Sequence, residues 1–126
     1  MTAKNAFHYA RYVLNARFEE GEPIIAQDAF YSLLYAQHVL NARFELGEPI
    51  IAEEAYFAFH YAKLFGRFEL GEPAIAKNAY FSPRYFKEVL VEKSKIQEKT
   101  IALHFAFYYA KYMLKERLDY YKLNQN

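Results

Sequence analysis

Cysteine and tryptophan are both absent from this 126-residue chain, and glycine and proline occur only four times each. Without cysteine the protein has no disulfides, no thiolate chemistry and no cysteine-ligated metal. No uninterrupted apolar run approaches the roughly 20 residues that cross a bilayer, and the N-terminus lacks the apolar segment of a signal peptide. We therefore expect a soluble, cytoplasmic protein that makes no membrane contact.

The chain also lacks a strong excess of charge of either sign. Lysine plus arginine number 16 and aspartate plus glutamate 15, so the formal net charge of +1 gives no global attraction to polyanions. Residues 1–84 carry 8 basic and 10 acidic groups, whereas residues 85–126 carry 8 basic and 5 acidic groups. A nucleic-acid-binding module that uses this basic C-terminal third is therefore the alternative function, although it is not favoured.

Patterns typical of catalysis are scarce as well. The four glycines are spread along the chain, so there is no glycine-rich phosphate loop. The four histidines include no i, i+4 pair, and the three serines have no histidine or acid at a recurring spacing. We therefore expect no enzymatic activity, no catalytic residues, no metal and no cofactor.

A repeat organises the sequence. The Gly-Glu-Pro triplet begins at Gly21, Gly47 and Gly71, so it recurs after 26 and then 24 residues. A tyrosine marker recurs at the same spacings, at Tyr9, Tyr35, Tyr61, Tyr85 and Tyr109. A period of this length indicates stacked supersecondary units, of which five are visible.

Each unit reads as two helices. In the first unit Ala6, Tyr9, Ala10 and Val13 follow the i, i+3, i+4, i+7 pattern of a helix face. We expect the residues before each long helix to act as N-caps, namely Asn5, Asp28, Glu54 and Asn78. Asn15, Asn41 and Gly66 fall at the expected helix ends, where a left-handed conformation is useful.

A second, shorter helix follows in each unit. Glu-Pro before an Ile-rich stretch predicts a short helix with proline at its start, and we expect Gly47 in the preceding turn to need a positive φ. The chain is thus predicted to be a single all-α domain over residues 1–126. Its fold would be a short α-solenoid of about five two-helix repeats of 24–26 residues, each a long helix, a glycine turn and a short helix.

The last units depart from the pattern. The fourth unit, around residues 77–102, is degenerate, with Lys93, Ser94, Gln97 and Lys99 in place of arginine, phenylalanine, glycine and proline. We expect Pro83 to interrupt or start its helix. The third unit has two fewer residues between Tyr61 and Arg67, which should shorten its helix. A C-terminal helix around residues 100–121 is predicted to cap the array.

An arginine column runs through the junctions, at Arg17, Arg43, Arg67 and Arg117. As a functional feature it would be a ladder for phosphates or acidic peptides, which arginine binds through two parallel hydrogen bonds. As a structural feature each arginine would compensate helix C-terminal carbonyls and pair with the glutamate five residues on, at Glu22, Glu48 and Glu72. We favour the structural interpretation because this spacing fits a turn.

Tyrosine is abundant, with thirteen residues. A buried tyrosine needs a partner for its hydroxyl, and tyrosine is also enriched in binding hot spots. The last helix has no following unit to cover it, so we expect a partner-binding surface there, formed by Tyr108, Tyr112, Tyr120, Tyr121, Lys111 and Lys115. The occupant would be a protein partner or a second copy, giving a homodimer through the C-terminal helix.

Residues 35–52 contain the pattern Tyr-Ala-x-x-Val-Leu-Asn-Ala-Arg-Phe-Glu-Leu-Gly-Glu-Pro-x-Ile-Ala. This pattern resembles the short Tyr-Ala and Arg-Phe-rich repeats of uncharacterised proteins from bacteriophages and related mobile elements, and it covers units one to three well. The resemblance implies a phage origin. The helical repeat predicts a non-enzymatic protein that binds a protein partner. The resemblance further implies that it acts in the host cytoplasm and inhibits a host defence or regulatory protein.

Overall fold

The computed structural model describes residues 1–95, 119 and 122–124, and this part of the chain is all-α, without a strand. The long helices begin as α1 (Ala3–His8), α3 (Ala29–Tyr35), α5 (Ala55–Phe65) and α7 (Phe81–Arg84). The short helices are α2 (Glu22–Ile25), α4 (Glu48–Ile51) and α6 (Glu72–Ala76). A 3₁₀ turn leads into each short helix, at Glu19–Gly21, Glu45–Gly47 and Glu69–Gly71. The predicted order of long helix, glycine turn and short helix is therefore present in units one to three.

The predicted N-caps are present only in part. Asp28 accepts a hydrogen bond at 2.9 Å from the Tyr31 amide, as expected of an N-cap. Asn78 accepts a hydrogen bond at 2.9 Å from the amide of Phe81, but the residue that caps α7 is Tyr80 and not Asn78. In unit one the cap is Thr2, whose Oγ1 accepts from the amide of Asn5 at 3.1 Å. Helix α1 thus begins two residues before Asn5, so the prediction that Asn5 is the cap was wrong. Glu54 occupies a cap position, but its carboxylate makes no capping bond within the described residues.

Three of the long helices widen before they end. α1, α3 and α7 continue as π-helices over Tyr9–Leu14, Ala36–Leu40 and Tyr85–Lys93. Unit three, which is two residues shorter, stays α-helical to Phe65. A π turn holds more residues than an α turn, so the wider helices take up the two additional residues before the junction.

The helix ends use left-handed residues, as predicted. Asn15 and Asn41 both have φ of 50°, and Gly66 has φ of 100°. Asparagine and glycine tolerate this region better than other residues do, because glycine has no Cβ and the short amide of asparagine bonds locally. Each long helix of units one to three therefore stops at a defined residue.

The junction glycines are required for space and not for conformation. Gly47 has φ of −90°, so the prediction of a positive φ was wrong. A Cβ on Gly47 would lie 2.7 Å from the Ser32 Oγ of the long helix in the same unit. Equivalent close approaches join Gly21 to Ala6 and Gly71 to Ala58. Each turn thus packs directly onto a small residue of its own long helix.

The units pack in sequence order and share a core. α1 contacts α3, α3 contacts α5 and α5 contacts α7, while each short helix contacts the long helices of its own and the next unit. Equivalent isoleucines of the short helices and equivalent alanines of the long helices are fully buried; they are Ile25, Ile51 and Ile75, with Ala10, Ala36 and Ala62. Repeat-equivalent residues therefore occupy equivalent core positions.

The fourth unit is described only as far as residue 95. Pro83 lies in the first turn of α7, so it helps start this helix and does not interrupt it. Ser94, which replaces the junction phenylalanine, accepts a hydrogen bond from the Arg67 amide at 3.2 Å. The predicted C-terminal helix around residues 100–121 lies outside the described residues apart from position 119. Across the described positions, no helix combines the length and apolarity that crossing a membrane requires.

Candidate binding surfaces

A buried tyrosine links each of units two, three and four to the one before it. The Tyr61 hydroxyl donates to Glu48 Oε2 at 2.6 Å and accepts from the Phe44 amide at 2.9 Å, and both partners belong to the preceding junction. The same pair of contacts joins Tyr35 to Glu22 and Phe18, and Tyr85 to Glu72 and Phe68. The signal was present in the sequence as constant spacings of 13 residues from tyrosine to glutamate and 17 to phenylalanine.

These tyrosines are held in the protonated form. Burial, followed by the hydrogen bond to the neighbouring glutamate, raises the pKa of the phenols of Tyr35, Tyr61 and Tyr85. Ionisation would place a second negative charge beside the carboxylate in a site removed from water. The three hydroxyls therefore act as fixed donors that join the units.

Two arginines of the column neutralise these glutamates. Arg17 Nε donates to Glu22 Oε2 at 2.8 Å, and Arg67 Nε donates to Glu72 Oε2 at 2.9 Å. In both pairs a second guanidinium nitrogen reaches the other carboxylate oxygen. Since the Glu72 side chain is only 1 % exposed, its charge needs such a partner to remain buried. The pairing expected from the five-residue spacing thus forms in units one and three.

Arg43 makes a different set of contacts. Its Nη2 donates to the carbonyls of Phe65 and Arg67, at 3.2 and 2.8 Å, where the shorter helix of the next unit ends. Its ion pair with Glu48 is longer, at 3.9 Å. Arg43 thereby compensates helix C-terminal carbonyls of a neighbouring unit. The three described arginines are engaged with their junctions, which supports the structural interpretation of the column.

The structure does not describe the predicted partner-binding residues, which are Tyr108, Tyr112, Tyr120, Tyr121, Lys111 and Lys115. Arg117 of the arginine column also falls outside the described residues.

A row of exposed aromatic side chains runs across the long helices. Phe30, Tyr56 and Tyr80 occupy the same repeat position and are 48 %, 53 % and 58 % exposed. The Tyr56 ring lies 6.0 Å from Phe81, whose ring lies 4.8 Å from Tyr80, so ring contacts connect units three and four. We call these three exposed residues the aromatic row.

Charged groups border the aromatic row. The Arg84 guanidinium lies 3.6 Å from the centre of the Tyr80 ring. An open groove beside Tyr56 and Phe81 has a polar lining that includes Glu53, Glu54, Lys77 and Asn78. An aromatic centre with a polar rim is the composition of many protein interfaces.

Sequence reasoning missed the aromatic row, although a signal existed. Each of units two to four begins with a pair of adjacent aromatics, at Phe30-Tyr31, Tyr56-Phe57 and Tyr80-Phe81. Adjacent residues of a helix point about 100° apart, so both members of a pair cannot face the core equally. The second member of each pair is partly buried, and the first is left at the surface.

The N-terminal end of the array exposes a second apolar surface, formed by Tyr9, Tyr12, Val13 and Leu14. We call it the end face. Tyr9 is the repeat equivalent of the buried tyrosines, but it is 39 % exposed and its hydroxyl has no hydrogen-bond partner among the described residues. Among the described residues, no junction like those that cover Tyr35, Tyr61 and Tyr85 lies over it.

No protein-family model, curated protein or solved structure matches this chain. Within the described part, no three histidine, aspartate or glutamate side chains gather where they could hold a metal ion. The aromatic row and the end face are therefore the features of this protein that bear on its function.

Proposed function

We propose that this protein is a non-enzymatic helical-repeat scaffold that binds a protein partner through the aromatic row. The observation that carries the proposal is the exposure of three large aromatic side chains at one repeat position of successive units. Aromatic residues supply much of the binding energy of protein interfaces, because each buries a large rigid area on contact.

The fold does not itself require aromatics at this position. Unit one has Lys4 in the place of Phe30, and Lys4 is exposed at the start of α1. A polar residue is thus compatible with the local helix. Exposed apolar groups that lie together commonly mark interaction sites. The linked rings of units three and four, and the exposed Phe30 at the same position of unit two, therefore support a role in binding.

Affinity capture with matched variants tests this proposal. The wild-type chain, the triple variant Phe30→Ala/Tyr56→Ala/Tyr80→Ala and the control Leu46→Ala/Leu70→Ala would each be used to capture proteins from the organism that encodes the chain. Leu46 and Leu70 are about as exposed as the aromatic row but lie in the junction turns. We expect a protein that binds the wild type and the control to be lost, at least tenfold, with the triple variant.

Two results would contradict this proposal. A captured protein that binds all three chains equally would remove the aromatic row from the interface. A protein lost only with the leucine control would place the interface at the junction turns.

The phage resemblance supports a narrower form of the proposal. Under it the partner is a host defence or regulatory protein in the host cytoplasm, and the small scaffold acts by occupying that protein's surface. Expression of the wild-type chain in host cells should then lower the partner's activity, and expression of the triple variant should not. Unchanged partner activity with the wild-type chain would contradict inhibition while leaving binding itself measurable.

The nucleic-acid alternative rests on the basic composition of residues 85–126. It requires retention on nucleic acid that weakens steeply as salt rises, because each neutralised phosphate releases counterions. Charge reversal at Lys93, Lys95 and Lys99 should abolish that retention. No binding at low salt would eliminate this alternative.

A further inference from the structure

The internal interfaces of the array define what its uncovered end can bind. In units two, three and four the tyrosine of the long helix is fully buried by the preceding junction. That junction supplies the same two groups each time, a glutamate carboxylate that accepts from the hydroxyl and a backbone amide that donates to it. Three copies of one contact thus specify its chemistry.

Tyr9 presents this contact without its partner. Its ring lies 5.0 Å from Phe18 of its own unit, as the ring of Tyr35 lies 4.9 Å from Phe44 and the ring of Tyr61 lies 4.8 Å from Phe68. The side chain is therefore packed in the orientation that the internal tyrosines adopt. A preorganised group loses little conformational freedom when a partner arrives.

The apolar residues beside Tyr9 are also left without cover. Val13 is 66 % exposed, whereas its equivalent Val39 is partly buried and packs against the core. Leu14 and Leu40 differ in the same direction. An exposed group of apolar side chains of this kind commonly marks an interaction site.

Charge at this end favours an acidic occupant. The helix that carries the end face, residues 3–14, contains the exposed Lys4 and Arg11 and no acidic residue. Two copies of the end face would bring like charges together, whereas a turn that carries a carboxylate would be attracted.

We propose that the end face binds a Glu-Pro turn of a partner protein, with the partner's glutamate accepting from the Tyr9 hydroxyl and a backbone amide upstream of that glutamate donating to it. The partner turn takes the place that the preceding junction occupies on Tyr35, Tyr61 and Tyr85. This surface is distinct from the aromatic row, so its test does not depend on the outcome there.

The probe is a synthetic peptide of the chain's own first junction, residues 15–28. Titration into the isotope-labelled full chain, followed by amide chemical shifts, should give saturable changes centred on residues 9–14. A peptide with Glu22→Gln and a scrambled peptide of identical composition serve as controls. The scrambled peptide separates recognition of the turn from general attraction between charges.

Tyr9→Phe in the full chain should weaken binding of the native peptide by about tenfold, because one buried hydrogen-bonded pair is lost. The variant should melt at the wild-type temperature, since the Tyr9 hydroxyl makes no hydrogen bond to any described residue.

Absence of shifts at millimolar peptide, equal binding of the scrambled peptide, or equal affinity for Tyr9→Phe would overturn the proposal. A concentration-dependent dimer that Val13→Glu abolishes would also overturn it, because the end face would then be occupied by a second copy.

Discussion

The Tyr61 hydroxyl donates a hydrogen bond to the Glu48 carboxylate at 2.6 Å, across the boundary between the third and second units. The same hydroxyl accepts from the amide of Phe44, so one oxygen satisfies two groups of the neighbouring junction. Stacking in this protein therefore depends on a directional polar contact as well as on apolar burial.

Removal of that hydroxyl should destabilise the fold. Tyr61→Phe leaves the buried Phe44 amide without its acceptor and removes the hydroxyl that donates to the partly buried Glu48 carboxylate, at a cost of about 1–3 kcal/mol in the free energy of unfolding. Urea denaturation followed by circular dichroism measures the change. Tyr56→Phe is the matched control, because that residue is exposed and its hydroxyl makes no hydrogen bond in the described structure. Equal midpoints for the two variants would contradict the role given to Tyr61.

Glu72 should tolerate substitution poorly. Glu72→Gln removes the charge that faces Arg67 and places an amide among donors, which should lower the free energy of unfolding by about 3 kcal/mol. The matched control is Glu69→Gln in the same turn, whose carboxylate is largely exposed and should contribute less than about 0.5 kcal/mol. Thermal melting of both variants decides the question, and a shift of similar size in each would argue against a buried ion pair.

Gly47 should reject even a methyl group. Its backbone conformation is open to any residue, but an alanine Cβ would collide with Ser32 and Phe44. We expect Gly47→Ala to destabilise the protein by about 1–3 kcal/mol through overpacking. Ser32→Gly alone also destabilises, because it removes the hydrogen bond from Ser32 to the Ile25 carbonyl. The double variant Gly47→Ala/Ser32→Gly should therefore lose less stability than the sum of the two single variants. Strict additivity would show that close approach to Ser32 is not the cause.

Stability should fall in alkaline solution. The pKa of each of Tyr35, Tyr61 and Tyr85 is raised in the folded state by burial and by the hydrogen bond to glutamate. Their contribution is therefore complete below the unfolded pKa of about 10 and declines as pH rises above it, because the unfolded chain then binds fewer protons.

The size of this dependence can be measured residue by residue. Each of the three tyrosines should lower the free energy of unfolding by about 1.4 kcal/mol per pH unit above pH 10. Urea titrations between pH 8 and 11 give the slope, and Tyr61→Phe should reduce that slope by about one third. A slope that does not change in the variant would show that other groups cause the alkaline loss.

Local patterns in the sequence predicted the helices and much of the junction. Three of these features arise from interactions within a few residues, so they can be predicted from the local sequence. They are the i, i+3, i+4 spacing of apolar residues, the capping role of Asp28 and the left-handed Asn15. The pairing of Arg17 with Glu22 is local for the same reason. The prediction for Gly47 was wrong because a glycine is needed either where φ is positive or where a Cβ does not fit, and the sequence does not show which. The close approach of Ser32 shows that a Cβ does not fit here.

Contacts between units were harder to predict. The spacing of 13 residues between Tyr35 and Glu22 is constant in the repeat, but a constant spacing does not say that two residues meet in space. The Arg43 contacts depend on where α5 ends, which follows from the two residues missing from the next unit. Predicting the aromatic row required the rotation of each helix about its axis, because a pair of adjacent aromatic residues does not show which member faces the core.

The widened helical turn between Tyr35 and Asn41 has a consequence for how such a chain can change over evolutionary time. Because this turn accommodates a gain or loss of two amino acids without displacing the buried tyrosine or the following junction, neighbouring modules can drift in length independently. A sequence search that assumes a fixed period would then miss related chains. A search that fixes the interval from glutamate to tyrosine, and lets the interval after the tyrosine vary, would find them.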